Sequence, residues 1–323
     1  MMDYKKGDGN LPVYLVRGES IPEAWENSLI ELYENGLWYK RGGRKDQGGL
    51  QVDATMIIEI KDPLSDLFMH KGMTCGWEDL FEYQMELMGA KDSWVNPDGD
   101  TEGMWPYSYH QRLASYPGSG KPIDQIESTI EKMVRKPNSR QHNMITWVPK
   151  IDSDSQDPPC LQRVWFSLIP NEIDGDSSTL NMDYEFRSRN VMIAAPMNMI
   201  GLSFLQSYVR DEFVKRTGKN IQIGRMVDFN DGYHVSVRDQ HILSHVMGGV
   251  IKKSIEKGES INDRSYTRKD VLSAMDDRVW QDMEKKIINQ TSKYLEGKEF
   301  EEESEKIMKI SKLVRKVNES LVK

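Results

Sequence analysis

Two runs of mixed apolar and polar residues, LQRVWFSLI (161–169) and TLNMDYEFRS (179–188), stand on either side of the turn DGDSS. Strands joined through a short Gly-containing turn pair as antiparallel neighbours, which commits the chain to a sheet and fixes what meets at its ends. The first strand opens at Cys160, and the second closes on Phe186-Arg187-Ser188-Arg189. Hairpin pairing therefore brings Arg187 and Ser188 to the Cys160 end of the sheet. The prolines of Asp157-Pro158-Pro159-Cys160 fix the backbone ahead of the thiol and present it at an edge. A nucleophilic thiol needs positive charge nearby, and an arginine beside a hydroxyl is a natural grip for phosphate or carboxylate. The bland alternative for Cys160, as for Cys75, is a small buried hydrophobe.

Around this hairpin, helical and extended patterns alternate. In residues 21–36 Trp25, Leu29, Leu32 and Tyr33 share one helical face, and Gly36 is a candidate C-cap. A basic Gly-rich loop, YKRGGRKDQGG, leads into the strand candidate LQVDATMIIEI. A second helix, Trp77 to Met88, stops at Gly89. The stretch from Lys91 to Gly120, rich in Pro, Gly, Asp and aromatics, reads as a long ordered loop. Helix 122–135 then precedes the strand HNMITWV, and after the hairpin come a long apolar helix over 196–216, two short strands (IGRMVDF and GYHVSV) and further helix from Gln240.

Beyond about Lys257 the composition changes to a linker, KGESINDRS, and a charged helical tail. There Phe300, Ile307, Ile310, Val314, Val317 and Leu321 form a short coiled-coil-like stripe, expected to dock on the parent domain. The resulting division is an N-terminal arm (1–20), a catalytic domain (21–256) and a charged helical extension (257–323).

The net charge of -8 gives no general attraction to nucleic acid or anionic membranes, so an anionic ligand must be held by a local arginine cluster. No apolar run reaches the roughly 20 residues that cross a bilayer, and the first residues lack a signal-peptide core. Two cysteines far apart in a chain of 323 residues suit a reducing, cytoplasmic setting with free thiols. His241 and His245, four apart on a predicted helix, have no third ligand at familiar spacing, so no metal is expected.

Five segments in order, WPYSYHQRL (105–113), IDQIESTIEKMVRKPNSRQ (123–141), DPPCLQRVWFSL (157–168), FRSRNVMIAAPMNMIGL (186–202) and GYHVSVRDQ (232–240), resemble the thymidylate synthase family, which includes the pyrimidine nucleotide hydroxymethylases. The YxYxxR form of the first segment is similar to the archaeal branch. The resemblance implies an α/β (α+β) fold built on a large twisted mixed sheet flanked by helices, and a homodimer formed sheet to sheet. It also implies one-carbon transfer from 5,10-methylenetetrahydrofolate to C5 of a pyrimidine nucleoside monophosphate. Cys160 matches the nucleophile that adds to C6 and makes C5 able to attack the folate's methylene. Arg187 and Ser188 match the phosphate-binding pair, Arg140 an arginine donated across the dimer interface, and Arg41 (or Arg44) a further phosphate arginine. Tyr107 matches the tyrosine associated with proton removal from C5. Asn198 matches the asparagine that reads the pyrimidine edge and favours uracil, and His234 the histidine at the sugar hydroxyl. Glu82, in preference to Glu86, matches the glutamate of the proton relay.

The chain departs from the family pattern at four places. Ser236 replaces a tyrosine at the sugar, which makes room for a ribonucleotide. Asn190 replaces the aspartate that binds the folate, keeping a hydrogen bond without the charge. Gln141 stands where a second cross-subunit arginine is usual. The short apolar C-terminus that closes over the folate is replaced by the charged extension. Closure shields the exocyclic methylene intermediate from water, so these departures favour a hydroxymethyl product over the methyl group of a thymidylate synthase. A non-catalytic nucleotide-binding relative is the remote alternative.

Overall fold

The computed structural model describes residues 9–40, 49–96, 103–118, 120–171 and 177–322. Its strands are β1 (Val13–Gly18), β2 (Leu37–Lys40), β3 (Leu50–Ile60), β4 (Leu67–His70), β5 (Asn143–Ile145), β6 (Leu161–Pro170), β7 (Ser177–Phe186), β8 (Arg189–Asn190), β9 (Asn220–Val235) and β10 (Ser265–Thr267). The helices are α1 (Ile21–Asn35), α2 (Trp77–Leu87), α3 (Tyr109–Ala114), α4 (Gln125–Arg135), α5 (Pro149–Asp152), α6 (Ala194–Thr217), α7 (Gln240–His245), α8 (Lys253–Glu256), α9 (Arg268–Ala274), α10 (Asp277–Thr291) and α11 (Gly297–Ser320). A π-helical stretch, Val246–Lys252, joins α7 to α8.

A large mixed sheet runs in the order β1-β3-β9-β7-β6-β5, with β2 on β3 and β8 on β9. The predicted hairpin is its β6–β7 pair, antiparallel with Trp165 opposite Asp183 and Phe166 opposite Met182. Period-two alternation buries Val164, Phe166 and Leu168 of β6 and Leu180, Met182, Tyr184 and Phe186 of β7 on one face. Each such fully buried side chain contributes about 1.5–3 kcal/mol. The other face stays half-exposed and carries Arg163, Trp165, Asp183, Glu185, Arg225, Val227 and Phe229. Ion pairs Arg163–Glu185 (2.8 Å) and Arg225–Asp183 (2.5 Å) cross it.

The long apolar helix predicted over 196–216 is α6, which ends at Gly218 in the left-handed region (φ 69°). Its apolar residues are buried around most of its circumference because α2, α4 and β9 pack on different sides. At Gly201 a Cβ would lie 2.5 Å from the ring of Tyr83, so the missing side chain lets α2 close on α6.

Several elements differ from expectation. IGRMVDF and GYHVSV form one 16-residue strand, β9. It lies between β3 and β7, and a register shift at Ala54/Met56 absorbs the turn-like Asn230-Asp231-Gly232 without ending the strand. Val13–Gly18, within the stretch read as an arm, pairs parallel to β3. The stretch read as loop from Lys91 contains the 3₁₀ turn Asp92–Trp94 and helix α3. The HNMITWV strand shortens to β5 before the chain turns into α5, where buried Arg112 and Asp152 form a two-pronged ion pair (2.8 and 3.1 Å).

The extension joins the body through a second, two-stranded sheet of β10 on β4. Just ahead of β10, the guanidinium of Arg264 makes paired 2.7 Å bonds to Glu26 of α1, and His70 Nε2 lies 2.8 Å from the same carboxylate. Ile307, Ile310, Val314 and Val317 of the predicted stripe are buried, while Asn318 donates to Gln84 of α2 at 2.6 Å.

Candidate functional site

The segment Arg187–Asn190 spans the gap between the start of β6 and the end of β9. At one end the Arg187 amide donates to the Cys160 carbonyl (2.9 Å). At the other, Asn190 pairs with His234, and the Val191 amide donates to the His234 carbonyl (2.9 Å). At Gly232 a Cβ would stand 3.3 Å from the Arg187 carbonyl, a tight approach that glycine permits. Four residues of one crossover thus connect the thiol to the predicted sugar-side residues.

Arg187 also donates from Nε to the Pro159 carbonyl (3.0 Å) and from Nη2 to the Pro158 carbonyl (2.6 Å). Two of the five guanidinium donors therefore hold the loop that presents Cys160. The thiol is half-buried, and burial pushes its pKa up, opposed by the Arg187 and Arg189 cations and reinforced by Asp157. Arg189 is fully buried against Asp228, with its guanidinium 4.6 Å from the Phe186 ring centre and 5.5 Å from that of Tyr233. Ser188, half-buried, follows Arg187 in the same crossover.

The Tyr107 hydroxyl meets the backbone of Cys160, and burial raises its pKa, with the nearby thiol adding to the effect. Its ring lies 5.8 Å from that of Tyr109, whose hydroxyl accepts from the Leu161 amide (3.3 Å). Asn198, buried on α6, donates from Nδ2 to the Tyr83 hydroxyl at 2.7 Å. Tyr83 is itself buried, and its pKa is raised by burial first and then by Glu86.

Tyr83 lines a cavity of about 290 Å³ with Glu82, Glu86, Lys91, Ile193 and Met197. Glu82 is bound through both oxygens: Oε1 lies 2.8 Å from Lys91 Nζ, and Oε2 accepts from Lys286 Nζ at 2.7 Å. Burial works to raise its pKa, but the two ammonium groups outweigh that and bring it below the ordinary carboxylate value. Glu86, 3.3 Å from Lys91, goes the other way because burial dominates there. Lys91 is buried beneath two indoles, 5.1 Å from the Trp94 ring centre and 5.4 Å from that of Trp105.

Asn190 Nδ2 donates to Asp239 (2.7 Å) and Ser236 (3.2 Å), while its Oδ1 accepts from the Met192 and Ile193 amides. The Ser236 hydroxyl donates to the same Asp239 carboxylate. His234 Nδ1 donates to the Gly232 carbonyl at 3.1 Å, which fixes that tautomer. Arg140 and Gln141 are exposed, and the Arg140 carbonyl accepts from Trp165 Nε1 (3.0 Å) on the half-exposed sheet face. Arg41 and Arg44 lie outside the described residues.

The structure thus gathers Cys160, Tyr107 and Arg187 at one point, and Asn190, His234 and Ser236 at the other end of the crossover. Glu82 and Asn198 connect to each other through α2 and Tyr83. Sequence reasoning did not find Tyr83, Lys91 or Lys286. Tyr83 sits next to Glu82, but its pairing to Asn198 depends on the α2–α6 contact. Lys286 reaches Glu82 across 204 positions of chain. Among the described residues, no group of three His, Cys, Asp or Glu could hold a metal ion, and no helix is long and apolar enough to cross a membrane.

A family model described as thymidylate synthase matches residues 67–235. A protein named "Putative thymidylate synthase" from Methanosarcina barkeri is 27% identical over 240 residues, covering 73% of this chain and 95% of its own length. Another of that name, from Methanopyrus kandleri, is 32% identical over 205 residues, covering 61% of this chain and 83% of its own. Among solved structures, thermostable thymidylate synthase A from Bacillus subtilis superposes with a TM-score of 0.51 at 15% identity, covering 71% of this chain and 84% of that one. At that identity the superposition speaks to the fold, an α/β architecture on a large mixed sheet.

Proposed function

The chain belongs to the thymidylate synthase family, and from that premise we propose that it transfers a one-carbon unit from 5,10-methylenetetrahydrofolate to C5 of a pyrimidine nucleoside monophosphate, leaving a hydroxymethyl group. The observation that carries this reading is the crossover that ties the Cys160 loop to Arg187 and ends on Asn190 and His234. Cys160 adds to C6, with Tyr107 at its backbone. Arg187 and Ser188, with Arg140 from the other subunit and Arg41, hold the phosphate. Asn198 reads the base, its amide oriented by Tyr83, and uracil is the favoured ring. His234 and Ser236 face the sugar. The folate occupies the cavity beside Glu82, Ile193 and Met197.

Hydroxymethylation is favoured because Asn190 is bonded to Ser236 and Asp239 and carries no charge for a pterin ring. In addition, beyond the segment that matches the family model, the chain continues into α10 and α11, which pack beside α2. C5 bonds to the folate's methylene carbon, C5 then loses its proton to a base of the site, and the bond from that carbon to the folate nitrogen breaks as tetrahydrofolate leaves. Water then adds to the exocyclic carbon: its oxygen bonds there, its proton goes to a base of the site, and the Cys160 thiolate leaves C6. Thymidylate synthesis is the second reading, supported by the names of the archaeal relatives. It differs in that the folate supplies hydride and leaves as dihydrofolate. Incubating the protein with methylenetetrahydrofolate and each of dUMP, UMP, dCMP and CMP, followed by mass spectrometry, separates the two. Added CH₂O supports hydroxymethylation. Added CH₂ with dihydrofolate absorbance supports the synthase, and no product from any nucleotide rejects both.

A further inference from the structure

The family match ends at residue 235, yet helix α10, from beyond it, contacts Glu82, one of the residues that line the cavity. Three contacts fix its place. Lys286 Nζ donates to Glu82 Oε2 (2.7 Å), Thr291 Oγ1 accepts from Trp94 Nε1 (2.9 Å), and Trp280 packs 5.1 Å from Phe81 on α2. Tyr294, just past α10, donates to the Gly103 carbonyl (2.9 Å). The helix therefore holds both α2, which carries Glu82, and the aromatic segment that leads to Tyr107.

We propose that Lys286 is a positioning residue of the active site, gripping one oxygen of Glu82 at the cavity wall while Lys91 grips the other. The clamp rests on the reading of Glu82 as the proton-handling carboxylate of the site. A carboxylate free at one oxygen rotates about its last torsion, whereas one bound at both is fixed in plane and orientation. The two anchors have different characters. Lys91 is buried and shared with Glu86, while Lys286 is largely exposed and also faces Asp79 and Glu78. Lys286 is thus the anchor that can be removed without disturbing the core. Its contribution is that of a partly exposed pair, screened by solvent on the lysine's side.

The test compares Lys286→Met, Lys286→Arg and, as a control on the same helix, Lys285→Met. In the full chain with nucleotide and methylenetetrahydrofolate, Lys286→Met should move the acid limb of the kcat–pH profile to higher pH. The direction follows because loss of a neighbouring cation makes the carboxylate protonate at higher pH. Lys286→Arg should restore the limb, and Lys285→Met should leave it in place. An unmoved limb in Lys286→Met, or an equal shift in Lys285→Met, overturns the proposal. A second readout is independent of turnover: ¹³C-carboxyl NMR titration of glutamate-labelled protein, with Glu82 assigned by Glu82→Gln. A Glu82 titration that rises in Lys286→Met supports the clamp even if no nucleotide is converted, and one that stays fixed rejects it. Absence of turnover in the unaltered protein counts against the proposed function alone.

Discussion

Burial works against ionisation of the Cys160 thiol, and the nearby Arg187 and Arg189 cations limit that effect without reversing it. Alkylation of Cys160 by iodoacetamide, followed by peptide mass spectrometry, should therefore increase as pH rises beyond the ordinary thiol range. Arg187→Leu should shift the profile to still higher pH, because it removes the cation that most favours the thiolate. Cys75, whose pKa burial pushes up to about 12, should react more slowly throughout. Cys160→Ala should lower kcat by about a thousandfold or more while equilibrium dialysis still detects nucleotide binding. Retained turnover would remove the thiol from the mechanism. At this scale the sequence was most informative where neighbours in space are also linked by a hairpin, as Cys160 and Arg187 are. It was silent where they are not: nothing local to Glu82 announces Lys286.

The junction between body and extension is a buried charge cluster: Glu26 on α1, His70 on β4 and Arg264 just before β10. His70 Nδ1 accepts from the Gly72 amide (2.9 Å), so the ring donates to Glu26 through Nε2 as a neutral imidazole. Glu26→Ala leaves Arg264 buried without its counter-ion and should cost about 3–5 kcal/mol in urea unfolding. Burial alone would raise the Glu26 pKa, but its bonds to His70 and Arg264 bring it below the ordinary value. Its folded pKa is therefore below the unfolded one, and its contribution is fully present above the unfolded carboxylate range. The contribution is lost as pH falls through the folded value. The difference in thermal midpoint between the natural protein and Glu26→Gln should accordingly shrink as pH drops below about 4; a difference that widens would contradict this linkage. Element by element, helix α1 was legible from the spacing of Trp25, Leu29 and Leu32. Strand β9 was not, because Asn230-Asp231-Gly232 is a turn signal that pairing on both sides overrides. Strand β1 was missed because its polar surroundings give no sign of β3 as partner.

For the whole molecule, the half-exposed sheet face with Trp165, Val227 and Phe229 is the surface on which the proposed second subunit would pack. Phe229→Glu should yield a monomer by analytical ultracentrifugation and abolish turnover, since Arg140 could no longer reach a neighbouring site. Mixing refolded Cys160→Ala and Arg140→Ala subunits, each inactive alone, should restore about a quarter of the natural activity. Half the dimers are then mixed, and each mixed dimer has one site with both residues intact. No recovery would place Arg140 in its own subunit's site or in none. The order of helices and strands made a mixed α/β domain with a helical appendage readable, the large mixed sheet came only from the family resemblance, and the packing of the extension against α2 required three-dimensional contacts such as Asn318–Gln84. That packing also carries a schedule. Glu26 awaits Arg264 across 238 positions, and Gln84 awaits Asn318 across 234. A chain emerging from the ribosome has built Cys160 and its hairpin long before α10 arrives. The carboxylate at the cavity receives its second lysine late in synthesis, so the nascent protein holds its nucleophile well before it can hold Glu82 at both oxygens.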